Sequence, residues 1–99
     1  MIWDVNYTEN SEQDLQEIFD YISDVLLVPE TADKQVSRIM ETVESLNFMP
    51  FRHPVYDYEP WRSRGVRAVP VDNYLIFYLP NEPEGAVEIL RIIYARRDI

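Results

Sequence analysis

The chain contains no cysteine, which excludes both a disulfide frame and a thiolate metal site. It has one histidine, His53, and one lysine, Lys34, so imidazole clusters and lysine-based catalytic sets have little to draw on. Its only two glycines, Gly65 and Gly85, fall where turns are expected. No P-loop, dinucleotide fingerprint, metal triad or Gly-x-Ser-x-Gly is present, so the motifs imply no cofactor and no metal. The apolar runs are far too short to cross a bilayer. The opening Met-Ile-Trp-Asp-Val-Asn-Tyr lacks a basic stretch, a long apolar core and a small-residue cleavage site, so no signal peptide is expected. These absences point to a cytoplasmic protein without a membrane partner.

What is there fits one domain over residues 1–99, with 46% apolar and 13% aromatic residues. The formal charge is −9, and its distribution is uneven. Residues 1–50 hold eleven acids against Lys34 and Arg38, whereas residues 51–99 hold seven acids and seven arginines. Within 52–67, four arginines face only Asp57 and Glu59. The overall sign opposes nonspecific binding to nucleic acid, but a local arginine patch can still grip an acidic partner.

Alternation from Ile2 to Thr8 predicts a strand. Ser11 followed by Asp14 resembles a capping box, and the spacing of Leu15, Ile18, Phe19, Ile22, Val25 and Leu26 predicts a helix that Pro29 ends. A second helix is expected from Pro29 to about Phe48, with Ala32, Val36, Ile39, Met40, Val43 and Leu46 as its apolar stripe. The short connector makes the two helices antiparallel neighbours. Residues 49–64 carry three prolines and four aromatics without a clean period, which reads as an ordered loop that packs its aromatics. Residues 66–71, 74–79 and 86–95 read as strands, joined first at Asp72-Asn73 and then at residues 81–85. Pro70 marks its strand as an edge or a bulge, and the last strand, apolar on both faces, belongs in the centre. The expected fold class is α+β, in the order β-α-α-β-β-β, a helical hairpin packed on a small, mostly antiparallel sheet.

Two groups of arginines carry the candidate chemistry. Arg62, Arg64 and Arg67 approach the first meander strand, and Arg96 and Arg97 follow the last. If the meander brings them to one end of the sheet, their forked donors form an anion-recognition surface; otherwise they are solvated charges that balance the acidic helices. Tyr74, Tyr78 and Tyr94 lie in strands, where packing is the usual role of tyrosine. Tyr56, Tyr58 and Trp61 lie in the loop, where Trp61 beside Arg62 suits stacking on a base. His53 is the one side chain ordinarily poised for proton transfer near neutrality, although a loop histidine more often caps or faces solvent.

The stretch Arg64-Gly65-Val66-Arg67-Ala68-Val69-Pro70-Val71-Asp72-Asn73-Tyr74-Leu75-Ile76-Phe77-Tyr78, with the ending Glu88-Ile89-Leu90-Arg91-Ile92-Ile93-Tyr94-Ala95-Arg96-Arg97-Asp98-Ile99, resembles the RelE/ParE superfamily of bacterial type II toxin–antitoxin toxins. The likeness is to its ParE-like, plasmid-stabilisation side. Asp14-Leu15, Tyr21-Ile22, Pro29, Ala32, Leu46 and Pro50 fit as well, so the resemblance spans nearly the whole chain. It implies a βααβββ toxin fold, a cytoplasmic setting and a cognate antitoxin held in a hetero-oligomer. RelE-like relatives cleave mRNA on the ribosome, and ParE-like relatives inhibit DNA gyrase. Arg67 matches an arginine of both branches, and Arg96 or Arg97 matches a second. On a nuclease reading Arg67 and Arg97 would stabilise charge while Tyr94, standing where many relatives carry histidine, would move protons. An unperturbed tyrosine is a poor base at neutral pH. The expectation is therefore a toxin that acts by binding a target such as DNA gyrase through Arg62, Arg64, Arg67, Trp61, Tyr74, Tyr78, Arg96 and Arg97. A ribosome-dependent mRNA endonuclease is the alternative, and a weakly toxic protein kept for complex formation and autoregulation is a third reading.

Overall fold

The first strand, β1 (Asp4–Tyr7), ends where Thr8 caps the helix α1 (Glu9–Asp20). The computed structural model describes residues 2–95. Thr8 Oγ1 accepts the Ser11 N–H at 3.3 Å and its hydroxyl donates to the Ile89 carbonyl at 2.6 Å. Glu9 and Glu12 supply negative charge to the first turn, where the helix dipole favours it. The cap thus lies three residues before the Ser11 expected from sequence. Ser11 is instead fully buried and donates its hydroxyl to the Thr8 carbonyl at 2.8 Å.

Past Asp20 the helix widens into a π-helical turn, Tyr21–Val25. That turn rotates Val25 and Leu26 out of the apolar stripe to which sequence spacing assigned them, and both are exposed. Helix α2 (Pro29–Ser45) then runs back beside α1. Its Ala32, Ile39 and Val43, and Leu46 just after it, are wholly buried. It stops three residues short of the expected Phe48, because Arg52 donates to the carbonyls of Ser45, Phe48 and Met49 and closes its end.

The sheet has the order β1-β4-β3-β2, formed with β2 (Arg67–Val71), β3 (Tyr74–Asn81) and β4 (Ala86–Tyr94). β1 joins β4 in parallel and the other pairs are antiparallel. β4 is central, as its two apolar faces predicted, and Pro70 sits on the edge strand β2, where its missing N–H leaves no ladder bond unmade. A bulge between Phe77 and Tyr78 places Tyr78 opposite Ile89 and Phe77 opposite Arg91. The extra residue, Leu90, shifts the alternation, so Ile89 and Ile92, an odd number of residues apart, both reach the core.

Asp14 joins helix to sheet. Read from sequence as the capping-box partner of Ser11, it is instead buried against the sheet, and its carboxylate accepts from Arg91 Nε at 2.7 Å, Arg91 Nη2 at 2.9 Å and the Ile92 N–H at 2.9 Å. At the far end of the sheet Asp72, in the left-handed region at φ 55°, takes two donors from Arg38 (2.7 and 2.9 Å) and one from Gln35 (3.0 Å). This ties the β2–β3 turn to α2. No helix among the described residues is long and apolar enough to cross a membrane.

Candidate functional site

Residues 49–66 build one rim of the sheet. Pro50–Arg52 forms a 3-10 turn, Val55 bridges to Arg67, and the Tyr56 N–H donates to the Val66 carbonyl at 2.9 Å. The segment therefore borders the β2 edge before it turns into the one-turn helix α3 (Trp61–Arg64). Gly65, at φ 73°, closes that turn in a conformation that would strain any side chain. The Glu59 carboxylate accepts from the Ser63 N–H at 2.7 Å and from its hydroxyl, and these bonds hold it below the usual carboxylate range.

At the centre of the rim Arg67 stands opposite Tyr78. Its Nη1 donates to the carbonyls of His53 at 2.5 Å and Phe51 at 3.2 Å, and its guanidinium lies over the Phe51 ring, 5.0 Å from the centroid. The Tyr78 hydroxyl donates to the Pro50 carbonyl at 2.7 Å, and burial pushes this phenol up to about 12. Tyr78 is therefore a locked donor and cannot serve as a base near neutrality. The His53 ring meets the Tyr78 ring edge-on, 6.3 Å between centroids; burial, and then the Arg52 charge, hold its pKa below the ordinary 6.5.

This shift has a measurable consequence. The folded state disfavours protonated His53, so the unfolded chain binds more protons on this residue, and stability from it is present above pH 6.5 and falls as pH drops below. His53→Gln should flatten the melting-temperature slope between about pH 6.5 and pH 5. The loss at lower pH, where Asp72 and Glu59 titrate below their ordinary values, should remain. An unchanged slope above pH 5 would refute the assignment.

Two of the loop aromatics, Tyr56 and Trp61, serve packing, while Tyr58 is exposed. Trp61 stacks on Phe77 (5.0 Å, 20°) and Tyr56 meets the same ring edge-on (4.9 Å), so they cover the sheet face turned away from the helices. Trp61 is engaged there and is not a free stacking platform. Arg64 lies over the Trp61 ring at 5.7 Å, and Arg62 and Arg64 are both exposed.

Tyr74 and Tyr94 belong to the other end. They face each other across β3 and β4 (5.6 Å, 75°) beside the Asp72-Asn73 turn, and the Ala95 N–H donates to the Asn73 carbonyl at 2.7 Å. Arg67 pairs at Tyr78, four residues along β3 from Tyr74, a separation of about 13 Å along the strand. The grouping of Arg67 with Tyr94 that the nuclease alternative called for is therefore corrected: the two sit at opposite ends of the ladder, because β4 runs toward the turn and Arg67 opens β2 away from it. Arg96 and Arg97 lie outside the described residues.

The Tyr94 end carries a second feature that sequence reasoning missed. A groove of about 750 Å³ separates the end of β4 from the hairpin and is lined by Glu17, Tyr21, Leu26, Val28, Tyr74 and Tyr94, among others. Next to it Tyr21, Val25, Leu26, Leu27 and Val28 are all exposed, Leu27 to 77%. Leu27 is also held at φ 58°, a conformation costly for a bulky side chain. Exposed apolar residues, a left-handed leucine and a π-helical turn thus coincide at the hairpin tip. The available signal was Val25-Leu26-Leu27-Val28, four apolar residues in a row that no helical stripe can bury together.

Fold and surfaces together define a small α+β domain with an arginine-bearing rim at one end of its sheet and an exposed apolar tip at the other. The ParE toxin model of the type II toxin–antitoxin system parDE matches residues 5–99, and the chain belongs to that family. A chromosomal ParDE toxin–antitoxin system from P. aeruginosa is similar in structure, with TM-score 0.79 and 26% identity over 96% of this chain and 98% of that one. The toxin–antitoxin complex RelBE2 from Mycobacterium tuberculosis shares the fold, with TM-score 0.68 and 19% identity over 95% and 99% of the two chains. No curated protein sequence matches.

Proposed function

We propose that this type II toxin arrests growth by gripping a protein target, with DNA gyrase the first to test, and that a cytoplasmic antitoxin neutralises it. The observation that supports a binding mode over RNA cleavage is the separation of Arg67 from Tyr94. Attack by a 2′-hydroxyl needs a base, an acid and charge stabilisation converging on one phosphate. Here the arginine beside the loop has for neighbours a buried phenol near pKa 12 and a histidine carbonyl, while the exposed tyrosine stands at the other end of the sheet. What the rim offers is exposed guanidinium on a rigid loop, Arg62 and Arg64 with the part-buried Arg67 between sheet and turn, which suits an acidic protein surface. Antitoxin neutralisation is supported by the family match and by the ParDE and RelBE2 systems it resembles.

Induced expression followed by two readouts in the same cells tests the reading. Growth arrest with altered plasmid supercoiling and unchanged mRNA ends is the expected result. Arrest with new, codon-positioned mRNA ends and normal topology would replace this reading with the nuclease one. No arrest at all would leave complex formation and autoregulation as the role of the fold.

A further inference from the structure

Just past its end, helix α2 leaves two bulky apolar side chains in solvent. Leu46 and Pro50 are both wholly buried, and the short path between these anchors turns Phe48 and Met49 outward, 54% and 59% exposed. Met49 takes the left-handed conformation, at φ 48° and ψ 57°, which residues other than glycine disfavour. Arg52 fixes this corner, donating to the carbonyls of Ser45, Phe48 and Met49 and to the Ser45 hydroxyl at 3.1 Å. Phe51, also exposed, continues the patch. Its ring meets Trp3 edge-on at 5.7 Å and lies under the Arg67 guanidinium, and the Trp3 N–H donates to the Asn47 carbonyl at 2.8 Å. From residue 45 to residue 56 the sequence has no acid. Phe48, Met49 and Phe51 therefore form an apolar knuckle bordered by two guanidinium groups, Arg52 exposed and Arg67 part-buried.

We infer that this knuckle is the apolar centre of the contact with the protein target, and that it takes a target segment carrying a bulky apolar side chain beside acidic residues. Arginines at a rim steer and orient an encounter, whereas most of the binding free energy of an interface comes from a few side chains cut off from water. Trp61 cannot supply that centre, because it is committed to Phe77. Phe48 and Met49 are committed to nothing of the kind, and covering them removes apolar surface from water. The sign of the partner follows from Arg52 and Arg67, neither of which forms an ion pair among the described residues. A nucleic acid is disfavoured as occupant, since a chain of charge −9 repels a phosphate backbone. A second copy of this chain would set Arg52 and Arg67 against their like. The inference rests on the target-binding reading and adds which side chains bear the affinity and what the target must present.

The test uses the full chain, induced in cells for growth arrest and titrated as purified protein against DNA gyrase, with a thermal melt of every variant. Phe48→Glu removes the ring and sets an acid against the acidic segment, so arrest and gyrase affinity should both fall about tenfold or more. Phe48→Lys removes the same ring with the favourable sign and should keep about threefold or more of what the glutamate variant loses. Met49→Gly deletes a side chain where the backbone already suits glycine. Its melting temperature should stay within about 3 °C of the parent's, while arrest falls about fivefold; lost contact is thereby separated from lost fold. A Phe48→Glu chain that arrests growth and binds gyrase like the parent overturns the knuckle and leaves the toxin reading intact. Equal losses for the glutamate and lysine variants overturn the acidic partner. A parent that sediments as a dimer split by Phe48→Glu, with arrest unchanged, assigns the knuckle to a second copy and also overturns the inference. Arrest by the parent with new mRNA ends and no gyrase binding overturns both the knuckle and the target-binding reading.

Discussion

Replacing Asp14 with alanine is expected to lower the unfolding free energy by about 3 kcal/mol, the largest single-residue effect foreseen outside the apolar core. The carboxylate accepts three hydrogen bonds, two from Arg91 and one from the Ile92 N–H. Its own side chain is 10% exposed, against 42% for that of Arg91. Removing it leaves the Ile92 N–H buried without an acceptor, a loss of roughly 1–3 kcal/mol. It also cuts the connection between α1 and the part of β4 that β1 does not reach. For a domain of this size the melting temperature should drop by roughly 10–20 °C. Arg91→Ala should cost much less, about 1 kcal/mol, because Asp14 keeps its bond to Ile92 and the freed oxygen can turn to water. Thermal melts of both variants decide the matter. Equal losses, or an Asp14→Ala melt within about 3 °C of the parent, would show that the carboxylate is not the joint described.

Arg67→Ala should reduce growth arrest by about an order of magnitude or more, the largest functional loss expected from a single charge. The side chain holds the carbonyls of His53 and Phe51 and covers the Phe51 ring, so it both shapes the rim and lends it charge. Arg67→Lys should recover only part of the activity, because one ammonium lacks the planar fork that meets two carbonyls while leaving further donors outward. Arg38→Ala supplies the control. Its pair with Asp72 is exposed, at 63% and 33% of the two side chains, and surface pairs of this kind contribute little to stability. A thermal melt of each variant measured alongside separates loss of the rim from loss of the fold. Arg67→Ala and Arg38→Ala with the same toxicity would remove the rim from the mechanism.

Element order, the hairpin of helices, the central position of β4 and the edge position of β2 were all legible in the amino-acid sequence. Each follows from a local pattern that a neighbour cannot overrule. Helical spacing in residues 29–46 buries one stripe whatever lies beneath it, a strand apolar on both faces needs cover on both, and Pro70 cannot donate to a ladder. The basic character of residues 52–67 is likewise simple composition. Registers are different, because they depend on how strands slide and bulge against each other. A meander could bring Arg62, Arg64 and Arg67 to one end with Arg96 and Arg97, and the nuclease alternative set Tyr94 beside Arg67, yet pairing Arg67 with Tyr78 and Tyr94 with Tyr74 sets Arg67 and Tyr94 apart.

Asp14 shows the same division within one residue. Its position in the first half of an acidic amphipathic helix is that of a solvated charge. Only the early end of β1 and the length of β4 leave an Ile92 N–H in want of an acceptor at that point. The hairpin tip was missed because the π-helical turn breaks the very period by which Val25 and Leu26 were assigned to the core. Sequence by itself determined where the two long helices and the four strands fall and which segments are basic, since these depend on neighbours a few residues away. Which side chains meet, and which end of the sheet each surface occupies, was decided by tertiary pairing, where a single extra residue at Leu90 changes every later contact on the strand.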